Sequence, residues 1–152
     1  MEEMRQAVAG DAAAIRALTR AAYAKWVPVI GREPLPMAAD YEAAVAKHRF
    51  DLLYVDGTLA ALIETIAKDD HLLIENVAVD QAFQKRGLGR RLMTHAETVA
   101  LGLGYRELRL YTNKSFAENV TLYQRLGYTI DREEEFRGGF TVYMSKRIRA
   151  AD

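Results

Sequence analysis

The run Val77-Ala78-Val79-Asp80-Gln81-Ala82-Phe83-Gln84-Lys85-Arg86-Gly87-Leu88-Gly89-Arg90-Arg91 constrains the fold more than any other part of this chain. It reads as a buried strand passing through a short turn into the start of a helix. Gly87 and Gly89 fall where that helix begins, among Lys85, Arg86, Arg90 and Arg91. A helix start leaves its first N–H groups without partners and carries partial positive charge. Glycines let a bulky anion approach those groups, because no Cβ stands in the way. The stretch therefore reads as a phosphate cradle, set against the plainer alternative of a tight strand-to-helix turn with solvated basic residues. Two common phosphate loops do not match. The dinucleotide fingerprint requires a third glycine where Leu92 stands, and no Gly-Lys-Ser/Thr triplet exists for a nucleoside-triphosphate loop.

The composition narrows what binds there. Lys+Arg and Asp+Glu balance at 21 each, so nothing marks the chain as a general nucleic-acid or membrane binder. The basic cluster is local and suits a small anion. With 152 residues, half of them hydrophobic, a single domain over residues 1–152 is expected. Cysteine is absent, which removes disulfides, thiolate metal sites and an acyl-cysteine intermediate. His48, His71 and His95 lack metal-ligand spacing, so no metal is expected. No apolar run is long enough to span a bilayer and the N-terminus lacks a signal core, so a cytoplasmic protein is expected.

Periodicity predicts the remaining elements. Residues 2–8 suggest a first strand, and Ala12–Tyr23 a helix, with Ile15, Leu18 and Ala22 on one face and Asp11 as N-cap. Residues 26–37 hold the only Trp and all three prolines and read as a stiff irregular loop. A second helix is expected over Ala38–His48. Phe50–Val55 and Thr58–Ala67 form a hairpin across Asp56-Gly57, followed by a central strand over His71–Val79. Leu88, Leu92, Ala96, Val99 and Leu103 trace the buried stripe of a long helix. A strand over Glu107–Thr112, a helix opened by the Ser115-Phe116-Ala117-Glu118 capping box, and a hairpin of Tyr128–Glu135 with Phe140–Ile148 close the chain. His95 and Glu97 are expected on a solvated helix face, and the Glu133-Glu134-Glu135 run at an exposed strand end. The fold class is mixed α/β (α+β), a mostly antiparallel central sheet flanked by helices.

This order of elements, together with Gln84-x-x-Gly87-x-Gly89 after Val77-Ala78-Val79, resembles the GNAT superfamily of N-acetyltransferases over the full length. Leu122-Tyr123-Gln124-Arg125-Leu126-Gly127-Tyr128 resembles that family's Leu-Tyr-x-x-x-Gly-Phe/Tyr motif. The resemblance implies acetyl-CoA as co-substrate, held by Val77, Ala78 and Val79 on the strand, by Gln84, Lys85, Arg86, Gly87, Leu88, Gly89 and Arg90 in the loop, and by Tyr123 on the later helix. Asn119, one turn before Tyr123 on the same helix face, is expected as a substitute contact to the arm. It implies that Tyr123 protonates the departing thiolate. The chain departs from the pattern at Phe116, where many members carry Asn, and at Gln81, where many carry Pro.

The implied reaction is direct acyl transfer to a primary amine. In the family the central strand splays from its neighbour near Val77, freeing N–H groups for the thioester oxygen. Glu75 lies nearest that opening and is the expected base, acting through water, with His71 and Glu64 as rivals. The position of the acidic base in histone-type members falls at Leu73. The acceptor is expected between the 24–37 loop and the 136–140 hairpin tip, where Trp26, Tyr41, Phe136 and Tyr143 supply aromatic walls and Glu64 or Glu75 a charge for a cationic amine. Members of the family often form homodimers. Two other readings stay open: a non-catalytic acyl-CoA sensor on the same fold, and a nucleotide-binding protein using the loop for ATP.

Overall fold

The computed structural model describes residues 1–149. Seven strands form one sheet in the order β1-β2-β3-β4-β5-β7-β6. They are β1 (Glu2–Gln6), β2 (Arg49–Val55), β3 (Thr58–Ala67), β4 (Leu72–Val79), β5 (Glu107–Asn113), β6 (Thr129–Phe136) and β7 (Gly139–Arg147). All neighbours run antiparallel except β4 and β5. Helices α1 (Ala12–Tyr23), α2 (Val27–Ile30), α3 (Tyr41–Lys47), α4 (Leu88–Gly102) and α5 (Ala117–Arg125) cover the faces. Mixed α/β architecture with a mostly antiparallel sheet is thus as expected.

Each face carries its own core. Ile15, Leu18 and Ala22 of α1 and Tyr41 of α3 meet Phe50, Leu52 and Leu62 on one side. Leu88, Leu92, Ala96 and Val99 of α4 meet Leu53, Ile63, Leu108 and Met144 on the other. Alternation along each strand supplies both faces at once. Both hairpins turn on two left-handed residues, Asp56 (φ 48°) with Gly57 (φ 83°) and Arg137 (φ 50°) with Gly138 (φ 80°), the geometry that matches strand twist.

Two irregularities in β4 position everything that follows. Glu64 pairs with Asn76 but Thr65 pairs with Ile74, so Glu75 is an extra, unpaired residue. The bulge inverts the strand: Leu72 and Ile74 join the α4 core before it, whereas Ala78 joins the α1 core after it. Regular alternation of His71, Leu73 and Glu75 is broken there. The second irregularity is a splay. β4 pairs with β5 only over Leu72–Ile74, and β5 then continues alongside β7 alone.

Several local expectations are corrected. Asp11 does not cap α1; its carboxylate takes the Arg5 guanidinium and the Val8 N–H instead. Ser115 does not cap α5, whose N-cap is Phe116 without a side-chain bond. The second helix begins at Tyr41, capped by Asp40 through the Ala43 N–H at 3.1 Å. Residues 26–37 are partly helical, because Pro28 is tolerated in the first turn of α2. Leu103 lies past the end of α4 and is 56% exposed rather than buried.

Candidate active site

The glycine loop leaves β4 through a short turn at Gln81–Phe83, capped by the Asp80 carboxylate accepting the Ala82 N–H at 2.9 Å. Gly87 is the N-cap of α4 at φ +79° and contributes no capping side chain. A left-handed N-cap there suits glycine and strains any residue with a Cβ. A Cβ at Gly87 would meet nothing within 4 Å, and one at Gly89 only Val79 Cγ2 at 3.9 Å. The space before the helix start is therefore open. Lys85, Arg86 and Arg90 are exposed and make no ion pair among the described residues, whereas Arg91 is engaged by Glu2 at 2.8 Å. Free helix-start N–H groups, three unpaired cations and open space fit a pyrophosphate-sized anion. Leu88 is itself buried in the α4 core, so only its backbone faces the loop. Gln84 braces the loop: its amide donates to Val79 O at 3.1 Å and accepts from Lys25 Nζ at 3.4 Å.

The splay exposes backbone on the β5 side of β4. Asp80 N–H bonds back to Ala60 O on β3, so by alternation Val77 and Val79 direct their polar groups away from β3. Their carbonyls accept from Tyr23 Oη at 3.3 Å and from Gln84, and their N–H groups face the opening. Ala78, expected among the cofactor contacts, turns its backbone to β3 and its methyl into the α1 core. Helix α5 carries Asn119 and Tyr123, one turn apart. Tyr123 packs on Tyr128 with ring centroids 6.2 Å apart, and its hydroxyl bonds no described group. Burial pushes this phenol up to about 12. Phe116 occupies the position of the family's Asn and stacks on Trp26 at 4.4 Å, locking the segment after α1 to the start of α5.

On the α1 face, a cleft of about 470 Å³ opens beside the splay, lined among others by Tyr41, Glu64, Glu75, Tyr111 and Phe136. The bulge sends both Glu75 and Asn76 into it. Glu75 accepts a hydrogen bond of 2.5 Å from Tyr111 Oη, a partner that sequence reasoning missed because β4 and β5 no longer pair at that level. Burial raises the Tyr111 phenol, and the Glu75 carboxylate raises it further. Glu64 is 4% exposed and lies 2.6 Å from His48 Nδ1. Burial raises its carboxyl, His48 opposes the shift, and the charge of Glu75 adds to it. Asn76 joins the two helices to the floor through Tyr23 Oη at 2.8 Å and through Thr19 and Tyr41. Tyr41 also donates to Pro36 O at 2.6 Å, holding the segment before α3 as a wall. Phe136 stands at the mouth under the Arg32 guanidinium, 5.8 Å from the ring centroid.

Four sequence expectations fail here. Trp26 does not line this cleft but faces Phe116, and Tyr143 does not line it but packs on Tyr111 with ring centroids 6.0 Å apart. His71 sits at the far end of β4 against Asp70 at 2.7 Å, outside the cleft. His95 is not on a solvated face: its Nε2 is buried 3.5 Å from the Asp51 carboxylate. Among the described residues there is no cluster suited to a metal ion and no helix long and apolar enough to cross a membrane.

The site thus joins a splayed parallel pair, a glycine loop and a tyrosine-bearing helix on one mixed sheet. Residues 14–128 match the Acetyltransferase (GNAT) family, and the chain belongs to it. The ribosomal protein bS18-alanine N-acetyltransferase of Salmonella typhimurium is 37% identical over 76 residues, 50% of this chain and 51% of that protein. The chain thus aligns with about half the length of the curated relatives it matches. The crystal structure of the ribosomal-protein-S18-alanine N-acetyltransferase from Escherichia coli superposes with a TM-score of 0.81 at 22% identity, over 100% of this chain and 97% of that one. The PaiA N-acetyltransferase of Thermoplasma acidophilum, crystallised with coenzyme A, gives 0.82 at 17% identity, over 97% and 99%. These similarities show the fold.

Proposed function

We propose that this protein transfers an acetyl group from acetyl-CoA to a primary amine. The observation that carries the reading is the continuity of two features. Along the chain, the glycine loop follows directly on the end of β4 that has lost its β5 partner, and there the N–H groups of Val77 and Val79 come next in the strand to Glu75 and Asn76 of the cleft lining. Acetyl-CoA supplies an activated acyl group as a thioester. Lys85, Arg86, Gly87, Leu88, Gly89 and Arg90 hold its phosphates through charge and backbone N–H groups. Val77 and Val79 orient the arm and steady the developing oxyanion, and Asn119 meets the arm from α5. Tyr123, protonated at neutral pH as a phenol ordinarily is, gives its proton to the departing sulfur. Glu75 meets the arriving ammonium beside the splay, and the ammonium's proton leaves through water. Tyr41, Glu64 and Phe136 shape the acceptor cleft. A cytoplasmic location and a homodimer belong to the same proposal and are checked by fractionation and sedimentation.

The test is a calorimetric titration with acetyl-CoA, with ATP and NAD as controls, followed by a thiol-release screen over amines. Selective acetyl-CoA binding with turnover on an amine is the expected result. Binding without turnover on any amine points to the sensor reading, and selective ATP binding to the nucleotide reading.

A further inference from the structure

The acceptor cleft holds one titratable group, His48, that the reaction outlined above does not use, paired with Glu64 of the cleft wall. His48 lies at the C-terminal end of α3, just before β2, and its ring is half-buried on the cleft wall. Its Nδ1 is 2.6 Å from Glu64 Oε2. With Glu64 ionised the carboxylate only accepts, so that Nδ1 carries the hydrogen and Nε2 keeps a lone pair. No described group bonds Nε2. Glu64 is itself buried and is fixed beside the bulge by pairing with Asn76 across β3 and β4. The arrangement is a buried carboxylate orienting an imidazole whose ring lines the acceptor cleft, the relation that makes histidine a base in other folds.

We propose that His48 is the final acceptor of the proton lost by the amine, with Glu64 as its positioning residue. This rests on the acetyltransferase reading. Glu75 holds the ammonium at the splay. One N–H bond of the ammonium breaks, a proton passes through water, and an Nε2–H bond forms on His48. The positive charge moves from the amine to the imidazolium, where Glu64 stabilises it. The neutral amine then attacks the thioester carbonyl, and the imidazolium returns its proton to solvent from its exposed edge. Histidine suits the task because its ordinary titration lies near neutrality. The other charged groups lining the cleft are Arg32, Asp40, Lys47 and Glu75, and none of them bonds the ring.

The test uses wild type, His48→Gln, His48→Ala and Glu64→Gln, with acetyl-CoA affinity by calorimetry as the control for folding. His48→Gln is expected to lower kcat about 100-fold with acetyl-CoA affinity unchanged, and to remove the acid limb of the pH–rate profile. Added imidazole restores activity to His48→Ala. Glu64→Gln lowers kcat less and moves the acid limb to lower pH, because the charge that favours the imidazolium is gone. Nitrogen NMR, assigned by difference with His48→Gln, shows the Nδ1–H tautomer in wild type and loss of that preference in Glu64→Gln. Wild-type kcat and an unchanged acid limb in His48→Gln would overturn the assignment while leaving the acetyltransferase reading standing. Acetyl-CoA binding with no amine acetylated by wild type would remove both.

Discussion

The glycine-loop side of the site and the acceptor side are made of different material. The first is mostly backbone: a helix start, two splayed N–H groups and a left-handed glycine, all within residues 77–91. The second is mostly side chains, brought together from α1, α3, β3, β4, β5 and the β6–β7 hairpin. A backbone site tolerates exchange of its exposed side chains but not of its conformation. A side-chain site behaves in the opposite way. The two should therefore respond differently to substitution.

The largest contrast is expected at Gly87→Glu, which places a charged side chain on a φ of +79° in front of the helix start. Acetyl-CoA affinity should fall more than about 100-fold by calorimetry, the equivalent of roughly 2.7 kcal/mol. The melting temperature should drop only by the strain of one left-handed residue, about 1–2 kcal/mol. Retained affinity would break the contrast at its strongest point. Tyr123→Phe comes next, with kcat lowered about 100-fold and acetyl-CoA affinity nearly unchanged in a stopped assay and a titration. Equal rates would take this phenol out of the chemistry. Glu75→Gln should raise the acceptor KM about tenfold, the size of a weakened charge-assisted contact, and leave acetyl-CoA affinity alone. Trp26→Ala has the smallest effect, on the order of 1 kcal/mol from the lost stack on Phe116, read as a small shift in melting temperature.

A pH series sharpens the comparison from another side. Tyr41 and Tyr123, one on each side of the splay, are both pushed up to about 12 by burial. Each therefore favours the folded state below the ordinary tyrosine value of 10, and that contribution is lost as pH rises from about 10 to 12, because only the unfolded chain ionises first. Thermal melts should fall across that window. A flat profile would mean that both hydroxyls are open to solvent.

How much of this was legible follows the same division. The element order, both hairpin turns and the buried stripe of α4 up to Val99 could be read from periodicity and turn chemistry, which act locally. The strand, the glycine turn and the helix start proposed as the cradle were legible because they are contiguous. The cleft was legible only as a set of candidates. Glu64, Glu75, Tyr41 and Phe136 do converge, but the His48 and Tyr111 partners depend on a bulge and a splay that no periodicity records. Trp26 was misplaced for the same reason: its ring turns to a phenylalanine 90 residues further along the chain. Ser115 and Asp11 carried plausible cap signals, yet Asp11 found a stronger partner in Arg5.

The unpaired place of Glu75 in β4 has a consequence for how such a protein changes. Its backbone has no partner residue across the ladder, so its side chain can be exchanged without unpicking the sheet on either side. A carboxylate, an amide or a ring at this one position would present a different floor to the incoming amine while β3 and β4 stayed zipped. The fold has, in effect, a socket that takes interchangeable tools.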